Sequence, residues 1–139
     1  MNTKVFFILS FVIIAFSSCS GDDDNSRSEM NIVLGQWKLI EQLADPGDGS
    51  GTFRTIESKK VLEFSEDGII TVYDGSLCQP YSEQQISKGT YSLSTQGITT
   101  NCDNVNISFI SFEMKEGFLI LNFASNEGFS QKFKRLNVK

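Results

Sequence analysis

The sequence has no histidine. That absence removes the commonest general base at neutral pH, most zinc-ligand sets, and the serine and cysteine triads that depend on an imidazole. Carboxylates, Lys and Tyr remain for acid–base chemistry, but the acids form no paired constellation. The chain therefore reads as non-enzymatic, with no metal and no cofactor. Alanine is scarce, while Phe, Ile, Val, Thr and Tyr fill the apolar runs, a mix that favours sheet over helix. Positive charge is also in deficit: twelve Lys and Arg stand against seventeen Asp and Glu, for a formal charge of −5. It becomes −6 if Lys4 is lost with a leader. Four of the acids (Asp22, Asp23, Asp24 and Glu29) lie in one polar stretch, partly balanced by Arg27. The rest is only mildly acidic, which argues against electrostatic capture of nucleic acid or of an anionic membrane.

What is present at the start is a leader. Lys4 gives a short positive beginning, and Val5 to Phe16 is almost wholly apolar. A dozen residues suit a signal-peptide core and fall short of the roughly 20 that a membrane-spanning helix needs. Small residues Ser17 and Ser18 then precede Cys19. Phe16-Ser17-Ser18-Cys19 resembles the lipobox of a bacterial lipoprotein signal, which implies removal of residues 1–18 and acylation of the Cys19 thiol. The plain alternative is an ordinary secretory leader with an incidental cysteine. Ser20-Gly21-Asp22-Asp23-Asp24 resembles the acidic export tag of surface-exposed lipoproteins in Bacteroidetes-type bacteria. By composition alone it is a soluble spacer. Residues 19–32 thus read as a lipidated, flexible acidic tether, and a linker of about 12 residues reaches roughly 20 Å. The expected location is the cell envelope, anchored in the outer membrane and surface-exposed, or else facing the periplasm.

Residues 33–139 form one domain, long enough to bury about 60–68% of the unfolded surface without a metal. Asn31 to Leu34 reads as a short helical turn. Gly35-Gln36-Trp37-Lys38-Leu39-Ile40, with the only tryptophan, opens a strand over 36–43 in which Trp37, Leu39 and Glu41 share a face. The loop 45–52 holds a proline and three glycines, cannot hold regular structure, and reads as slack rather than as a mobile lid. Strands over 60–64 and 69–73 flank Ser65-Glu66-Asp67-Gly68, a hairpin with Asp-Gly at its turn. Further strands are expected over 89–93, 98–100, 106–113, 118–123 and 129–136. Glycine-bearing turns about every ten residues argue for an up-and-down meander of eight antiparallel strands, and closing it removes exposed edges. In the last strand Phe129, Gln131, Phe133 and Arg135 share a side. Arg135 should therefore point inward at the barrel end near Trp37, as a cation–π pair.

Gly35-x-Trp37, the basic residue near the end of the last strand, the Leu62–Gly68 hairpin and Gly89-Thr90-Tyr91 together resemble the lipocalin superfamily. The likeness is to its short lipocalin-like lipoproteins of Bacteroidetes-type bacteria, and covers about 33–136. It implies a small apolar ligand in the barrel mouth, lined by Leu39, Phe64, Tyr91, Leu121, Phe123 and Phe133. The same residues, with Trp37, Leu62, Leu93, Leu119 and Phe129, read equally as the packed core of a small barrel. So many rings favour a largely filled interior with a shallow pocket at the open end.

Cys78 and Cys102 form an even pair once Cys19 is committed to lipid. In an exported protein they read as a disulfide, the alternative being two buried thiols. Asp45 and Asp48 fit no complete calcium loop. Two functions stand side by side: an envelope-anchored carrier of a small apolar ligand, or a rigid barrel whose loops 45–58 and 74–88, with Phe53 and Tyr81, meet a protein or glycan.

Overall fold

A computed structural model describes residues 32–78, 82, 84–103, 109–125 and 127–137. The leader, Cys19, most of the tether, Tyr81 and the start of the expected 106–113 strand lie outside the described residues. Residues 32–33 are helical and lead into β1 (Gly35–Ala44). The remaining strands are β2 (Arg54–Thr55), β3 (Val61–Phe64), β4 (Ile69–Tyr73), β5 (Lys88–Ser92), β6 (Gly97–Thr99), β7 (Phe109–Lys115), β8 (Phe118–Phe123) and β9 (Phe129–Arg135). From β3 onward each strand pairs antiparallel with the next, and β1 pairs with both β3 and β9. The result is a closed eight-stranded antiparallel barrel. The two-residue β2, which the sequence reading leaves inside a loop, lies on β1 beyond β3, with Glu41 opposite Thr55.

Turn chemistry fixes the register. Glu116 and Gly117 both have positive φ, the two-residue turn whose twist matches β7 and β8, so β7 runs on to Lys115. The β3–β4 turn closes with Gly68 at φ 79° and its N–H on the Ser65 carbonyl. Interior positions then follow the period of two. The largest fully buried side chains are Trp37, Leu62, Phe64, Ile70, Leu77, Ile98, Ile110, Leu119, Leu121 and Phe133. Each such apolar side chain stabilises the fold by about 1.5–3 kcal/mol, and together they form one core cluster inside the barrel.

One face assignment is corrected. Leu39 pairs with Phe133, but Glu41 pairs with Lys132, so Ile40 is an extra residue, a β-bulge. The bulge exchanges the two faces of β1 from that point. Glu41 therefore leaves the Trp37 side and meets Lys132 on the outside, at 3.0 Å. The Lys132 ammonium also lies 4.5 Å from the Phe118 ring centroid and 5.7 Å from that of Phe53. The loop after β1 is irregular, as expected, and is braced locally. The Asp45 carboxylate accepts the N–H groups of Gly47, Gly49 and Gly51 at 2.7, 3.0 and 2.6 Å.

Candidate functional site

The barrel's two ends differ in construction. At one end, where β1 begins and β9 finishes, the Arg135 guanidinium lies 4.5 Å from the Trp37 ring. Its Nη1 donates to the Leu34 carbonyl at 2.8 Å and its Nη2 to that of Ile32. The Trp37 indole N–H donates to the Val33 carbonyl at 2.7 Å. The residues before β1 are thereby fastened across this end. Tyr91 closes its other side, with its ring 4.9 Å from Phe64 and its hydroxyl donating to the Ser65 carbonyl at 2.6 Å. Burial, then the nearby Asp67 and Glu66 charges, raise the Tyr91 pKa.

At the opposite end the segment between β4 and β5 folds inward. Leu77 is fully buried and plugs the barrel below the mouth. Gly89 makes this possible: a Cβ there would meet the Thr99 carbonyl oxygen at 2.7 Å and Leu77 at 3.1 Å. The Ser76 hydroxyl organises the segment, accepting from the Cys78 and Ile86 N–H groups and donating to the Gln84 carbonyl. Cys78 is joined to Cys102 with an S–S distance of 2.09 Å. Gln84 adds a second tie, accepting from the Asp103 N–H at 2.8 Å and donating to its carboxylate at 3.1 Å.

Between this segment, β1, β9 and residues 56–60 lies a cavity of about 310 Å³, open to solvent. Leu39 and Ile56 give it apolar wall; Gln42, Ser58, Ser76, Gln131, Glu57 and Asp74 give it polar wall. Lys60 also lines it, although only 6% exposed. Its Nζ donates to the Ser76 carbonyl at 2.7 Å and to Gln131 Oε1 at 2.8 Å. The Phe123 and Phe133 ring centroids lie 5.8 and 5.9 Å away. Burial in this setting lowers the Lys60 pKa to about 8, because the charged form loses its hydration. The volume falls at the low end of small-molecule sites.

Of the residues expected to line a ligand, Leu39 is on the cavity wall. Phe64, Leu121, Phe123 and Phe133 are buried in the packed core, and Tyr91 is at the Trp37–Arg135 end, where Ile32, Val33, Leu93, Phe112 and Met114 line a second open cavity of about 290 Å³. The sequence reading omits Lys60 and Leu77 from the interior. Lys60 had a signal: it alternates with Leu62 and Phe64 and so shares their inward face. Leu77 had none, because it sits in an irregular segment.

The family model of a lipocalin-like domain matches residues 33–121. No curated protein and no solved structure matches the chain. The matched stretch runs from the residues that Arg135 and Trp37 fasten, through the whole mouth segment, into β8. On this match and the closed eight-stranded barrel, the chain belongs to the lipocalin-like domain family.

Proposed function

We propose that the domain is a non-enzymatic binding protein that holds a small molecule at the barrel mouth, and that a lipid on Cys19 keeps it at the cell envelope. The observation that carries the binding reading is the mouth cavity of about 310 Å³, which sits above a core of buried apolar side chains. An apolar part of the ligand would rest on Leu39 and Ile56. The cavity walls are cross-tied by the disulfide and by Gln84, so binding needs little ordering of the site. The envelope reading rests on the leader, the lipobox-like Phe16–Cys19 and the acidic run after it.

One preparation tests both parts. The Cys19→Ser chain, expressed in its own host, should move to the soluble fraction, and unchanged membrane attachment would refute the anchor. Purified without detergent, it should carry an adduct of a few hundred daltons in native mass spectrometry that is lost on unfolding. A bare mass would turn attention to the second reading, a module for an envelope protein or glycan. The filled core favours that reading, and loops 45–58 and 74–88 would form its contact surface.

A further inference from the structure

Lys60 is a buried cation that no anion answers. Among the described residues no carboxylate lies within ion-pair distance of its Nζ, and both of its hydrogen-bond partners are neutral oxygens. Burying an ammonium without a counter-charge is costly, so long side chains of this kind normally extend their charge to water. Here the surroundings prevent it. A Cβ on Gly75 would lie 2.8 Å from the Lys60 stem, so the backbone at 75 presses directly on it. The amine is instead held at the cavity wall by Ser76 and Gln131, both of which also line the cavity.

We propose that the mouth cavity recognises its ligand through a single carboxylate seated against the Lys60 amine. This rests on the reading that the cavity binds a small molecule. An ammonium has three N–H donors, and a carboxylate beside it would form a charge-assisted hydrogen bond where solvent screening is weak. Glu57 and Asp74, the acids that line the same cavity among the described residues, set the charge limit. With one cation against two carboxylates, a dianion such as phosphate is repelled more than a monoanion. Leu39 and Ile56 then accept a short apolar body. The ligand is a compact monocarboxylate of metabolite size.

The test compares hexanoate with hexanol, which differ in charge but share an apolar chain, with inorganic phosphate as the dianion control. Each is titrated into the mature chain carrying Cys19→Ser, read by amide and side-chain NMR. Hexanoate should shift Lys60, Ser76 and Gln131 saturably, with hexanol weaker by about tenfold or more and phosphate weaker still. The advantage of hexanoate should fade as pH rises through about 8 towards about 10, where Lys60 is neutral while hexanoate stays ionised. It should be lost in Lys60→Met and kept in Lys60→Arg, so a folding defect common to both variants is recognisable. Equal affinity for hexanol, or a preference that survives Lys60→Met, would overturn the carboxylate assignment and leave small-molecule binding intact. Absence of any saturable shift would also overturn it, and the adduct measurement would then decide separately whether the cavity binds anything.

Discussion

The Trp37 end and the mouth each contain one inward cation, and they treat it differently. Arg135 lies over an indole face and donates to two backbone carbonyls of the residues that enter β1. A guanidinium is weakly hydrated, planar and rich in donors, so this position satisfies it and fastens the chain. Lys60, a compact and strongly hydrated charge, is given two neutral oxygens and ring faces nearly 6 Å away. One end uses its cation to close the barrel. The other holds its cation at the edge of a cavity at a cost in solvation. A protein stabilised only for its fold would gain by replacing Lys60, which is the physical case for a role in recognition.

Disrupting the Trp37 end should be the most damaging change. Trp37→Ala takes away the largest buried ring at that end together with its bond to Val33, and should cost about 3–5 kcal/mol in urea unfolding. Arg135→Met should cost less, about 1–3 kcal/mol, by removing the cation–π contact and leaving two carbonyls without their donor. If both variants lose under about 1 kcal/mol, the barrel does not depend on that end. At the mouth, the Cys78→Ser, Cys102→Ser pair releases a cross-link with a sequence separation of 24. Loop-closure entropy puts its contribution at about 3.5 kcal/mol. Thiol titration of the unfolded, unreduced wild type should find neither cysteine free, and a free pair would refute the disulfide.

A pH titration separates the two cations directly. The Lys60 pKa is lowered from 10.5 to about 8, so the unfolded chain holds this proton more tightly than the folded one. The resulting destabilisation is full below pH about 8 and is relieved as pH rises to about 10.5. Measured against Lys60→Met, the wild type should gain stability across that window, on the order of 3 kcal/mol. Tyr73 and Tyr91, whose pKa values are raised, act in the opposite sense from about pH 10 upward. They are present in both proteins and cancel in the difference. A flat difference would mean that Lys60 reaches water and that the contrast between the ends is one of shape alone.

The sequence makes the Trp37 end far more legible than the mouth. Trp37, Phe129, Phe133 and Arg135 fall on regular strands, where a period of two assigns each to a face, and the Trp37–Arg135 pairing follows from closing first strand on last. The Cys78–Cys102 link is legible from counting the cysteines together with the expectation of export. Glu41 is misassigned because a bulge leaves no mark in the alternation and reverses every face after it. Leu77 is invisible for a related reason. It enters the core from an irregular segment organised around the Ser76 hydroxyl, and its place is opened by Gly89, whose lack of a side chain is the relevant fact. Strand-borne features can be read from sequence, whereas a site built from irregular backbone needs the three-dimensional contacts.

The smallest expected effect asks whether the loop after β1 belongs to the mouth. Its fold is centred on Asp45, whose carboxylate is held below its ordinary pKa mainly by the N–H groups of Gly51 and Gly49. A lowered carboxylate pKa means a contribution present above about pH 3.8 and lost as pH falls through the folded value. Asp45 is only half-buried and the bonds of its carboxylate are all local to the loop, so global stability should barely respond. The local response should be clear: Asn offers one acceptor oxygen, whereas Gly47 and Gly49 use Oδ1 and Gly51 uses Oδ2. Asp45→Asn should therefore speed amide hydrogen exchange at Gly51 most, while the Lys60 titration and hexanoate affinity stay unchanged, since no residue of 45–54 lines the cavity. If loosening this loop weakens hexanoate binding, the loop acts as a lid, and the mouth is then a two-part site rather than one preformed by the 74–88 segment.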